Sequence, residues 1–143
     1  MSLVREALSR AWAATVIQYH GGAINSERTL QAVLFGELRR ALPEFRILCE
    51  PTITLSAQTV VPDIVVVGGR RSVVVALELK FVPHQYPVFE TDIGKLRQYG
   101  VFADPFPLTI DPATGRFDGS SYTFDPECLL VFAAVGQHDA KAT

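Results

Sequence analysis

Two stretches of the chain, residues 60–67 and 73–81, are apolar almost without interruption. Neither alternates polar with apolar positions, so each predicts a strand covered on both faces. Gly68-Gly69-Arg70-Arg71 lies between them and predicts a hairpin loop. Upstream the period changes. Leu30, Leu34, Leu38, Ala41 and Leu42 fall on one stripe at about 100° per residue, which predicts a helix over residues 25–42. Asn25 or Ser26 can cap it, and Pro43 ends it. An earlier helix is predicted over residues 3–19, with Leu3, Ala7, Ala11 and Val16 apolar, Trp12 near that side and Gly21-Gly22 as linker. It would pack on the sheet or form a dimer contact. Phe45 to Leu55 predicts the first strand, bent or placed at an edge by Pro51. Beyond the hairpin, Thr91 or Asp92 can cap a helix over residues 93–102. Residues 103–126 hold Pro105, Pro107, Pro112 and Pro126, which predicts a long loop with a short ribbon at residues 116–124. Residues 129–135 predict a last buried strand, and residues 137–143 a frayed polar end.

Three ionisable residues interrupt the apolar stretches: Asp63, Glu78 and Lys80. Burying them is unfavourable unless they pair or hold a metal. A hairpin centred between Gly69 and Arg70 sets Asp63 opposite Ala76 and Val61 opposite Glu78. Glu78 and Lys80, two apart, share a face. Asp63 is then a diagonal neighbour of Glu78 on that face, at roughly 7 Å between backbones. A slip of one residue would turn Asp63 to the other face. Two converging carboxylates repel each other unless a cation lies between them. Their hard oxygens suit Mg²⁺, with Mn²⁺ as a substitute. Such an ion polarises a phosphoryl oxygen and acidifies a bound water. Lys80 would orient that water or stabilise charge on the phosphate, and the Leu79 carbonyl is a further candidate ligand. The competing reading is a buried Glu78–Lys80 salt bridge, with Asp63 a turn residue after Pro62.

Pro62-Asp63 and Glu78-Leu79-Lys80, separated by a hairpin, resemble the signature of the PD-(D/E)XK nuclease superfamily. The resemblance implies an α/β chain with a restriction endonuclease-like core, roughly residues 25–137. Its elements would run α-β-β-β-α-β, with a mixed, mostly antiparallel central sheet flanked by helices. Residues 1–22 would add an extra N-terminal helix and linker. The resemblance also implies a metal-dependent nuclease acting on phosphodiesters, with DNA the expected substrate. Asp63 and Glu78 would be its metal ligands and Lys80 its catalytic lysine. Family members often carry a glutamate facing the metal from the first core helix. Glu27, at the centre of the apolar stripe, matches that role, or else it is a first-turn Glu favouring the helix dipole. Gln31, beside it, is a candidate for contacting water or phosphate. Glu37 is about 80° off the stripe and should lean toward solvent. Lys95, on the helix after the hairpin, matches the basic residues that the family brings to the phosphate, or else it belongs to a solvated face. Glu50 is either an extra acid near the site or a solvated strand residue. His84, Gln85 and Tyr86 would touch a nucleic-acid backbone or stack on a base, or else form an ordinary surface loop. The alternative function is a catalytically inactive module of the same fold that binds nucleic acid or a protein partner.

At 143 residues, with 48% hydrophobic and 20% charged residues, the chain predicts one domain with a substantial core. A net charge of −2 is no nucleic-acid footprint by itself. The basic clusters are small: Arg39-Arg40, Arg70-Arg71 and Lys95-Leu96-Arg97. Weak DNA affinity is therefore expected of a monomer, with a homodimer or partner protein supplying the rest. The uncharged stretch of residues 11–17 is too short to span a membrane, and no signal-peptide cleavage site follows it. Cys49 and Cys128 predict reduced thiols and a cytoplasmic setting. The spacing of cysteines and of His20, His84 and His138 suggests no zinc site.

Overall fold

The apolar stripe over residues 25–42 becomes helix α2 (Glu27–Ala41), after α1 (Ser2–His20). Ser26 caps α2: its hydroxyl accepts from the Thr29 N–H at 3.1 Å. Strands β1 (Arg46–Cys49), β2 (Thr52–Leu55), β3 (Gln58–Val60), β4 (Ile64–Val67) and β5 (Ser72–Val82) follow. Then come α3 (Glu90–Gly100), β6 (Phe106–Asp111) and β7 (Arg116–Gly136). This computed structural model describes residues 2–56, 58–82, 90–111 and 116–136. The expectations for His84, Gln85, Tyr86 and the polar end lie outside the described residues.

The chain is α/β, with one seven-stranded mixed sheet in the order β1-β4-β5-β7-β6-β2-β3. β5 pairs with β7 in parallel, and the other neighbours pair antiparallel. Alternation along β4 and β5 supplies both faces. Ile64, Val66, Val75, Leu77 and Leu79 pack with Val4, Ala7 and Ala11 of α1 and with Leu30, Leu34 and Leu38 of α2. Val65, Val67, Val73 and Ala76 pack on the other face with Leu96 and Tyr99 of α3. No helix among the described residues is long and apolar enough to cross a membrane.

Four expectations change. Phe45 to Leu55 is not one strand: Glu50, at φ 52°, breaks it. Cys49 pairs with Ile64, while Ile53 pairs with Val60 in a separate hairpin, so β1 and β3 form opposite edges of the sheet. Residues 103–126 are not mainly loop. Pro107 is accommodated in a ribbon that pairs Phe106 with Tyr122 and Pro107 itself with Ser121. Thr91 and Asp92 lie inside the first turn of α3 rather than capping it. Finally, Glu37 does not lean into solvent. Its carboxylate is only 14% exposed and accepts from Gln18 of α1 at 3.1 Å, because α1 covers that flank of α2.

The candidate site at the end of the β4–β5 hairpin

The hairpin register decides what Asp63 faces. The turn at Gly69–Arg71 is one residue out of the expected centring, so Val67 pairs with Val73 rather than with Ser72. A side chain at Gly68 would be crowded, since a Cβ would lie 3.3 Å from the Phe45 ring. A β-bulge between Val66 and Val67 shifts the register by one more residue, so Val66 pairs with Val75 and Val65 with Ala76. Val65 thus takes the place expected for Asp63. Two single shifts in one direction preserve facing. The last ladder pair is Ile64 with Leu77; Asp63 stands in the bend just before β4, outside the ladder, so neither the expected Asp63–Ala76 nor the Val61–Glu78 pairing forms.

Backbone contacts fix Asp63 from three sides. Its N–H donates to the Leu77 carbonyl at 3.1 Å. Its carbonyl accepts from Gln31 Nε2 at 2.8 Å and from the Glu50 N–H at 3.0 Å. One carboxylate oxygen, Oδ2, accepts from the Leu79 N–H at 2.6 Å. A strand residue points its N–H and C=O to the same edge. The Leu79 carbonyl therefore also faces the Asp63 edge of β5.

Glu78 shares its face with Ala76, and so points toward α3. It is 5% exposed. Burial first, and then the charge of Asp63, raise its carboxyl from an ordinary 4.5 to about 7, against the opposing pull of Lys95. Lys95 Nζ lies 3.2 Å from Glu78 Oε1, an ion pair without hydrogen-bond alignment, and donates to the Val61 carbonyl at 3.3 Å. Lys95, its side chain 35% exposed, thus turns to Glu78 and the Val61 carbonyl. Tyr99, one turn further along α3, buries its hydroxyl without an aligned partner. Burial, then Glu78 and Asp63, push that hydroxyl well above its ordinary value. Lys80 is half-buried on β5, on the Glu78 face, with interactions inside the protein.

On the α2 side of Asp63 opens a cleft of about 200 Å³, lined by Glu27, Arg28, Gln31, Glu50, Asp63 and Leu79. Glu27 is exposed there and makes contacts of its own. Glu50 belongs to the cleft, carried in by the bend that splits β1 from β2. Among the described residues no set of three or more His, Cys, Asp or Glu groups gathers closely enough to hold a metal ion. The intimate pair is Asp63 and Glu78, with Glu27 and Glu50 at the cleft wall. Glu78 Oε1 is buried with no aligned donor, and Lys95 Nζ is its ion-pair partner. The carboxylates of Asp63 and Glu78 and the Leu79 carbonyl are the oxygens that could be offered to a hard divalent ion.

No family model, curated protein or solved structure matches the chain. Its function therefore has to be read from the site itself.

Sequence reasoning assigned no role to Tyr99 or Arg28. Tyr99 follows Lys95 by four residues and so shares its helix face. Arg28 precedes Gln31 by three and shares that one. Both spacings were readable, but without the facing of each helix they pointed nowhere.

Proposed function

We propose that the chain is a metal-dependent nuclease of the PD-(D/E)XK type, hydrolysing phosphodiesters, with DNA the expected substrate. One observation carries this reading. A buried carboxylate, Glu78, stands beside a second, Asp63, just before the adjoining strand, and that second acid lines an open cleft. Such a pair is unfavourable without a cation. The sheet order also supports it. With the β2–β3 hairpin and β6 set aside as additions, the chain runs α2-β1-β4-β5-α3-β7, the restriction endonuclease-like succession.

Asp63 and Glu78 would hold Mg²⁺ or Mn²⁺, with the Leu79 carbonyl as a third oxygen. The ion, when bound, supplies a polarised phosphoryl oxygen and an acidified water. The protein supplies the rest. Gln31 fixes the backbone of Asp63, Lys80 orients the water and offsets charge growing on the phosphate, and Glu27 accepts a proton at the cleft wall. Lys95 holds Glu78, and with a cation bound there it would be available to the phosphate.

The test is incubation of plasmid, linear duplex, single-stranded DNA and RNA with Mn²⁺ or with EDTA. Cleavage in Mn²⁺, lost in EDTA and in Asp63→Ala while the variant keeps its circular dichroism spectrum, is the expected result. Full cleavage by Lys80→Ala would remove Lys80 from its role.

The Lys95–Glu78 ion pair favours a second reading, a catalytically inactive module that binds nucleic acid or a protein partner, because it already neutralises Glu78. Calorimetric titration separates the two: absence of Mg²⁺ or Mn²⁺ binding at millimolar concentrations selects the module.

A further inference from the structure

The cleft presents a charge problem to the substrate proposed for it. Glu27, Glu50 and Asp63 line it, and a phosphodiester chain is a polyanion. One divalent cation at Asp63 and Glu78 offsets only the acids that hold it. Arg28 is the single cation among the lining residues. The other arginines of α2 are engaged elsewhere: Arg40 lies 3.5 Å from Glu37, and Arg39 lies over the Phe35 ring at 5.8 Å. Arg28 stands next to Glu27 on the exposed first turn of α2, yet forms no ion pair or hydrogen bond with any described residue. A guanidinium among acids that pairs with none of them keeps all its donors for a planar or tetrahedral anion.

We propose that Arg28 grips a backbone phosphate flanking the one at Asp63, a role that rests on reading the cleft as a nuclease site. The flanking position follows from depth. Asp63 is half-buried in the cleft, whereas Arg28 is exposed at the rim, so a strand placing one phosphate at Asp63 lays its neighbour against Arg28. This makes Arg28 a substrate-positioning residue that also sets a preference for polymers over single phosphodiesters.

The test uses full-length protein and a labelled oligonucleotide, single-stranded and duplex, with Ca²⁺ in place of Mg²⁺. Anisotropy titrations across a range of salt compare wild type, Arg28→Gln and Arg39→Gln. Arg39 lies eleven residues along α2, about 16 Å away by helical rise, and controls for charge alone. Arg28→Gln is expected to weaken binding about tenfold and to flatten the dependence of log affinity on log salt by about one. Arg39→Gln should change neither. Arg28→Gln should slow cleavage of the oligonucleotide more than hydrolysis of bis(p-nitrophenyl) phosphate, which has no second phosphate, and an equal loss on both would overturn the preference for polymers. Equal affinity and salt slope in wild type and Arg28→Gln, or no binding by either, overturns the proposal. Wild type that binds through Arg28 but cleaves nothing in Mn²⁺ overturns the nuclease reading and leaves the Arg28 contact standing.

Discussion

Glu78 concentrates the tension of this molecule in one side chain. Its folded carboxyl titrates near 7 against an ordinary 4.5, chiefly through burial and secondarily through Asp63. The sign follows from linkage. Between those values the native state binds more protons than the unfolded state, so stability falls as pH rises. The contribution of Glu78 is complete below about pH 4.5 and gone above about pH 7. Discounted for screening, the loss is on the order of 2 kcal/mol. Glu78→Gln keeps the shape and removes the charge. In EDTA it should be more stable than wild type by about that amount at pH 8, and nearly equal to it at pH 4. Urea unfolding at the two pH values measures this directly, and equal stabilities at pH 8 would mean that Lys95 already satisfies the ionised acid.

Elements differ in how plainly the sequence announced them. The α2 stripe and the β4–β5 hairpin were legible because burial imposes a period, and burial is what Leu34 or Val66 is there for. The split at Glu50 was not, because a glutamate at positive φ carries no local signature of the kind that Gly or Asn gives. Of the β6–β7 ribbon only the part at residues 116–124 was legible, because prolines nearby argue for loop. The bulge beside Val67 was invisible too. The site therefore depends on elements meeting, and α2 meets β4 through Gln31. Gln31→Leu removes the 2.8 Å bond to the Asp63 carbonyl, which retains the Glu50 N–H as a donor. Stability should fall by only about 1 kcal/mol, while cleavage should fall at least tenfold as Asp63 loosens. Ser26→Ala tests the same junction from the helix side: losing the cap on the Thr29 N–H should cost about 1 kcal/mol. If Gln31→Leu loses stability and activity in the same small proportion, α2 is packing and not positioning.

At the scale of the whole molecule, the sheet separates two packed layers, and the acids lie where both reach its end. α2 brings the cleft from one side, and α3 brings Lys95 and Tyr99 from the other. A cation there would bind the folded chain and not the unfolded one, because only folding aligns Asp63 with Glu78. Mass action then converts affinity into stability, about 2.7 kcal/mol at a hundredfold excess over the dissociation constant. For a chain of 143 residues that corresponds to a midpoint rise of roughly 10 °C. The rise should be larger at pH 8 than at pH 5, since protons compete for Glu78 below about pH 7. Asp63→Ala should abolish most of it, whereas Glu27→Gln, at the cleft wall, should leave much of it in place. A melting curve indifferent to Mg²⁺ and Mn²⁺ at both pH values would show that Lys95 is the only cation Glu78 accepts, and the fold would then be a scaffold holding an internal ion pair.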